Sequence, residues 1–142
     1  MLIKQVSAFV ENKSGRLAEI AEVLANNGIN ISALQVADAA EYGVLRMIVD
    51  DPDACVACLK ESGVVGKVTD VLAVAMADVP GGFAKLLRVL TDAGIDVKYL
   101  YACIGRTDGK ALMVFKTDDL QKAESVLAGV GETVRPDEIY RL

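Results

Sequence analysis

Shifted by 66 positions, this chain overlies itself: Gly15 meets Gly81, Ala18 meets Ala84, Val23 meets Val89, Leu24 meets Leu90, Gly28 meets Gly94, Ile29 meets Ile95 and Leu34 meets Leu100. Gly43 with Gly109 and Met47 with Met113 extend the match without a gap. In the last helical stretch of each half the offset becomes 68, pairing Cys55 with Ala123, Cys58 with Val126, Leu59 with Leu127 and Gly63 with Gly131. A repeat of this period constrains the fold more than any other feature, because whatever one half forms the other must form too. Two domains are expected, 1–69 and 70–142, and the near absence of a linker implies that they pack side by side. Units of roughly 65 to 70 residues are small enough to depend on surface buried against a neighbour.

In the first copy Ile3 to Val10 alternate, with Val6, Ala8 and Val10 on one face and Gln5, Ser7 and Phe9 on the other, as in a half-buried strand. Leu17, Ile20, Ala21, Val23 and Leu24 then fall on one face at helical spacing, and Asn26-Asn27-Gly28 stops the helix. Ile29 to Val36 reads as a second strand, Val44 to Val49 as a third ended by Pro52, and Ala54 to Glu61 as a short helix. A last strand is expected within Val65 to Thr69, running almost straight into the second copy's first strand near Val71. In the second copy Thr107-Asp108-Gly109 is a tight-turn signal, and Arg106 and Lys110 beside it read as solvated charges. Strand, helix, strand, strand, helix, strand suits a split βαβ unit, so the expected class is α+β: two ferredoxin-like βαββαβ domains, each an antiparallel sheet with two helices on one face.

Composition removes several function classes. A formal charge of -5 argues against neutralising nucleic-acid phosphates or sitting on anionic lipid, which both need clustered Lys and Arg. RNA recognition on such a sheet would also want exposed aromatics, and aromatics are only 5% of residues, with no Trp. The first residues lack the pattern of a signal peptide and no apolar stretch reaches membrane-spanning length, so a soluble cytoplasmic protein is expected. With no histidine, His-based triads and the commonest zinc ligand are absent. Cys55 and Cys58 have C-x-x-C spacing, yet they sit in a helical stretch on the side that carries Leu59, where free cysteine acts as a small buried hydrophobe. No metal and no cofactor is expected.

The stretch that points to chemistry is Glu11-Asn12-Lys13-Ser14-Gly15-Arg16-Leu17, which returns as Ala77-Asp78-Val79-Pro80-Gly81-Gly82-Phe83. In both, a strand stops, a polar side chain sits three residues before a glycine, and a helix begins. The first amides of a helix have no partner within it and can hold a carboxylate. The plainer reading is that Asn12, Ser14 and Asp78 cap the helices.

These motifs, with Gly28-Ile29-Asn30-Ile31 and Gly94-Ile95-Asp96-Val97, resemble the ACT domain family of small amino-acid-binding regulatory modules, as a tandem pair over nearly the whole chain. The second copy has the family's usual Pro-Gly, whereas the first has Ser-Gly. The resemblance implies ligand contacts at Asn12, Ser14, Gly15, Arg16, Leu17 and Asn30, and at Asp78, Pro80, Gly81, Gly82 and Asp96. It also implies that a loop of one domain meets the second strand of another, which would join Asn12 with Asp96 and Asp78 with Asn30 in one chain, or like with like between chains. Ser14 and Arg16 add a donor and a positive charge that the second loop lacks, so the Asn12 site is expected to be the tighter for a ligand carboxylate.

Rival readings are weaker. A carboxylate such as Asp78 or Asp96 could act as a base, but no nucleophile, base and orienting group cluster in the sequence. Tyr99 and Tyr101, on one face of a strand, suit a pocket, an interface or plain packing. The expected function is therefore non-catalytic: binding a small amino acid, assembling as a homodimer or larger, and acting through assembly or contact with a separate chain. The alternative is a dedicated regulatory subunit of an amino-acid biosynthetic enzyme.

Overall fold

Alternation on the first strand sets the architecture. The structure, a computed structural model, describes residues 2–107, 109–128, 132–133 and 136–140; Asp108, Gly131 and the Arg106 side chain, on which some expectations rest, lie outside that description. The elements are β1 (Leu2–Glu11), α1 (Arg16–Asn26), β2 (Ile31–Ala39), β3 (Tyr42–Val49), α2 (Pro52–Glu61), β4 (Gly66–Ala77), α3 (Gly82–Asp92), β5 (Val97–Thr107), β6 (Lys110–Thr117), α4 (Leu120–Ala128), β7 (Glu132–Thr133) and α5 (Pro136–Ile139). The chain forms two compact units, one of Lys4–Thr69 and one of Asp70–Leu142 with the start of β1 through Ile3.

In the first unit β3 lies between β1 and β2, antiparallel to both, so that Met47 is opposite Val6 on one side and Leu34 on the other. The free edge of β1 takes the start of β4, where the Phe9 N–H donates to the Val65 carbonyl at 3.3 Å. Val6, Ala8 and Val10 of β1 and Leu45, Met47 and Val49 of β3 face Ile20 and Leu24 of α1 and Cys55, Cys58 and Leu59 of α2. Each large aliphatic buried in this layer contributes about 1.5–3 kcal/mol, which is why the alternation and the helical stripe must agree. The other face of β1 is mixed: Phe9 is exposed, whereas Gln5 is fully buried and donates from Nε2 to Ser7 Oγ at 3.1 Å and Thr69 Oγ1 at 3.4 Å.

The second unit repeats the plan. β6 lies between β4 and β5, and β7 pairs with the far edge of β4. Leu72, Val74, Met113 and Phe115 meet Leu86 and Leu90 of α3 and Ala123 and Leu127 of α4. The expected α+β class, two ferredoxin-like sheets each with helices on one face, is the observed one.

The details correct the reading in four places. There is no linker near residue 70: β4 is one continuous twelve-residue strand. Pro52 does not merely end β3 but opens α2 as its first residue, with Asp51 capping it through a 3.0 Å bond from the Ala54 N–H. A short α5, absent from the expected plan, follows β7 and buries Ile139. The repeat offset also changes earlier than the sequence suggests. Ala8 pairs with Leu45 while its counterpart Val74 pairs with Met113, so Leu45, not Met47, is the equivalent of Met113. Two extra residues are absorbed inside β5, where the register against β6 breaks between Ala102 and Arg106. The coincident Gly43–Gly109 and Met47–Met113 matches are therefore not structural equivalences.

By the corrected offset Thr117 stands where the first unit has Val49. It is 2% exposed, and its hydroxyl has no hydrogen-bond partner. An unsatisfied buried hydroxyl costs roughly 1–3 kcal/mol. Thr117→Val is expected to raise the free energy of unfolding by about 1 kcal/mol, read as a higher denaturant midpoint at unchanged slope; a lower midpoint would show that the hydroxyl has a role.

Candidate functional site

The two strand-to-helix loops have the same backbone. Gly15 has φ +81° and Gly81 φ +87°, the left-handed region that glycine adopts without strain, and each occupies the position just before the helix with no side chain capping it. The Arg16 N–H donates to the Lys13 carbonyl at 3.2 Å and the Gly82 N–H to the Val79 carbonyl at 3.0 Å. The Glu19 N–H reaches the Gly15 carbonyl, and the Lys85 N–H the Gly81 carbonyl, each at 3.0 Å. Helix geometry then leaves the amides between them, Leu17 and Ala18 in α1 and Phe83 and Ala84 in α3, directed out of the helix start. Neither Gly15 nor Gly81 supplies a side-chain cap, and Asn12 bonds the Ala40 carbonyl instead. Leu17 and Phe83 are 44% and 37% exposed, so apolar surface adjoins the amide donors in both loops.

The side chains differ between copies. Asn12 ties its loop to the β2–β3 turn: Nδ2 donates to the Ala40 carbonyl at 3.2 Å and its N–H to the Glu41 carbonyl at 3.0 Å. Arg16 Nη1 bonds Glu19 Oε2 at 2.9 Å, so its charge is balanced within the first turn of α1. Gly82 takes Arg16's place in the second copy, and a Cβ there would overlap the Ala77 carbonyl oxygen. Lys85 occupies the position of Glu19. The positive charge expected to favour the first loop is thus offset by its neighbour. Ser14, Pro80 and Asp78 are exposed.

Asn30 and Asp96 lie elsewhere, just before β2 and β5. Each is held by an aspartate that the sequence reading did not single out. The Asn30 N–H donates to Asp50 Oδ1 at 3.0 Å and the Asp50 N–H to the Asn30 carbonyl at 3.2 Å. Likewise the Asp96 N–H donates to Asp118 Oδ1 at 3.2 Å and the Asp118 N–H to the Asp96 carbonyl at 3.3 Å. The only sequence signal was the pair Asp50-Asp51, repeated at Asp118-Asp119 with an offset of 68.

Within a unit the loop and the strand start do not meet. Asn12 touches the turn after β2 while Asn30 precedes β2, a strand of nine residues, which at about 3.3 Å per residue separates them by roughly 30 Å. Asp78 follows Ala77, opposite Lys110 at the turn end of β6, whereas Asp96 stands where Val97 pairs with Thr117 at the other end. Each unit therefore carries half of the expected residue set at each end of its sheet.

Cys55 and Cys58 are packing groups. Cys55 and Cys58 are buried in the first core, and Cys58 Sγ lies 3.3 Å from the Cys55 carbonyl. Burial pushes the Cys55 and Cys103 thiols up to about 12, and that of Cys58 upward too, which keeps them protonated and unreactive at neutral pH. Tyr101 is buried opposite Val114 and Tyr99 half-buried opposite Lys116.

Residues 1–133 match the family model for an ACT domain pair. The chain belongs to the ACT domain pair family. It is similar to protein BT0572 from Bacteroides thetaiotaomicron, at 38% identity over 100% of this chain and 98% of that one, with a TM-score of 0.92. The regulatory subunit of aspartate kinase from Thermus thermophilus, in its ligand-free form, shares the fold at 14% identity, covering 92% and 95% of the two chains, TM-score 0.65. Its counterpart from Thermus flavus does so at 13% identity, 91% and 94% coverage, TM-score 0.61. No curated protein matches. Among the described residues no helix is long and apolar enough to cross a membrane.

The second ACT loop makes a sharp demand at one position. Gly82→Ala is expected to destabilise the protein by about 1–3 kcal/mol, the usual range for forced overpacking, because the backbone oxygen of Ala77 cannot move as a side chain would. A chemical-denaturation midpoint equal to wild type would refute the close approach.

Proposed function

We propose that this ACT domain pair is a non-catalytic regulatory protein that binds a small free amino acid and acts through assembly or through contact with a separate chain. The observation that carries the reading is the duplicated loop: twice, a left-handed glycine with no capping side chain of its own opens a helix beside exposed apolar surface. A free amino acid brings a carboxylate for such amides, an aliphatic portion for Leu17 or Phe83, and an ammonium that needs acceptors. The ammonium would meet the side chains of Asn30 and Asp96. Since loop and strand start are far apart within a unit, a complete site needs its loop and its Asn30 or Asp96 from different ACT domains. Asn12, Ser14, Gly15, Arg16 and Leu17 would line one such site, and Asp78, Pro80, Gly81 and Gly82 the other.

A second reading is a dedicated regulatory subunit of an amino-acid biosynthetic enzyme. It is favoured by the likeness in fold to aspartate kinase regulatory subunits, and co-purification of a catalytic chain would distinguish it. Homodimerisation fits both readings, since small sheet domains gain from covering edges and apolar surface.

A thermal-shift screen against the twenty amino acids tests the proposal. A ligand at one hundred times its Kd should add about 2.7 kcal/mol by mass action, whereas a flat screen at millimolar concentration would remove the reading. Calorimetry on Asn12→Ala and Asp78→Ala then ranks the loops. Loss of a ligand contact should weaken binding by roughly 1–3 kcal/mol, and the larger loss marks the primary loop. Light scattering is expected to show a dimer or larger at micromolar concentration; a monomer with and without ligand would exclude action through self-assembly.

A further inference from the structure

At the start of β2 the structure closes a ring of two hydrogen bonds around one residue, and at the start of β5 it closes the same ring again. Asp50 takes both backbone groups of Asn30, the N–H on Oδ1 at 3.0 Å and the carbonyl on its own N–H at 3.2 Å. Asp118 does so for Asp96 at 3.2 and 3.3 Å, and its Oδ1 also accepts the Asp119 N–H at 3.0 Å. A second device follows at once in each copy. The register against the neighbouring strand slips between Ile31 and Ala33 in β2, and between Val97 and Tyr99 in β5, placing bulged residues at Ser32 and Lys98. Bulges re-aim the side chains beside them. Ring and bulge together constrain the backbone of Asn30 and Asp96 from both sides.

We propose that Asp50 and Asp118 are positioning residues for the amino-acid site, holding Asn30 and Asp96 in the orientation that meets the ligand. This rests on the functional reading above. Asp50 is followed by Asp51, the cap of α2, and Asp118 by Asp119, whose Oδ1 accepts the Lys122 N–H at 3.0 Å at the start of α4. The ring therefore also joins the ligand-facing residue to the head of a helix, a direct mechanical link from site to outer layer. The chemistry offered differs by copy: Asn30 presents an amide that can donate or accept, and Asp96 a carboxylate that, ionised, accepts only and suits an ammonium.

The test uses the full chain and its Ala and Asn variants at both positions. Amide hydrogen exchange by NMR and isothermal calorimetry are run with each of the twenty L-amino acids as probe. Asp50→Ala and Asp118→Ala are expected to speed exchange at the Asn30 and Asp96 amides and to weaken binding by about tenfold, the loss of one hydrogen bond to a charged acceptor. Asp50→Asn and Asp118→Asn keep the Oδ1 acceptor and are expected to stay within about threefold of wild type. Asp51→Ala removes a helix cap next door without touching Asn30, so it is expected to lower the melting temperature while leaving affinity unchanged. If the Ala variants lose melting temperature like Asp51→Ala yet bind as wild type does, the two aspartates are merely structural and the inference falls alone. Unchanged exchange at Asn30 and Asp96 in the Ala variants overturns it as well. If wild type itself binds no amino acid, the functional reading falls and takes the inference with it. Should Asp50→Ala fail to fold, Asp118→Ala in the other unit and the two Asn variants decide the matter.

Discussion

Each unit stands on a single apolar layer between a four-stranded sheet and two helices. Domains of this size bury a smaller share of their surface than large ones, so almost every position in that layer must be apolar and correctly placed. In the first unit Val6, Ala8 and Val10 face Ile20, Leu24 and Leu59, and in the second Leu72 and Val74 face Leu86, Leu90 and Leu127. The period-two pattern of the strand and the 3.6-residue pattern of the helix have to share one side. That agreement places the strand-to-helix loop, because the chain must turn from sheet to helix layer within a few residues, and glycine at φ +81° or +87° does so.

The same turn that solves the packing problem creates the chemical opportunity. A helix that begins on a left-handed glycine has no side chain at the capping position, so its first amides must be met from elsewhere. The duplication gives two such starts with unlike surroundings. In α1 the Arg16–Glu19 pair balances the local charge and Asn12 is tied to Ala40. In α3 there is no side chain at Gly82, and Lys85 stands where Glu19 would be. The two copies share the backbone of the loop and differ in its electrostatics.

Much of the fold could be read directly. Val6, Ala8 and Val10 alternate, Ile20 and Leu24 mark a helical stripe, and the copy at Leu72 to Leu90 repeats both, so element order and family were legible, whereas Leu17 and Ala21, expected on that stripe, are exposed. Cys55 and Cys58 were recognisable as core positions because their repeat partners are Ala123 and Val126. The repeat misled only where a two-residue insertion inside β5 was hidden by chance identities at Gly109 and Met113. Asp50 and Asp118 do not stand out in the sequence, because a short acidic pair before a helix looks like an ordinary cap. One aspartate of each pair is a cap; the other bonds a residue twenty or more positions away.

What the sequence determined by itself is what depends on neighbours along the chain: strand and helix periods, the glycine turns, the proline at the start of α2, and the fact that all of it occurs twice. What only the tertiary structure decided depends on register between strands. That includes the Asn12 bond to Ala40, the rings of Asp50 on Asn30 and Asp118 on Asp96, the bulges at Ser32 and Lys98, and the separation of each loop from the strand start of its own unit. The physical reason is that a one-residue change of register moves every side chain of a strand to the other face and every cross-strand bond to a new partner. Periodicity reports which face is buried and leaves open how far each strand slides against its neighbour; packing of the assembled sheet settles it.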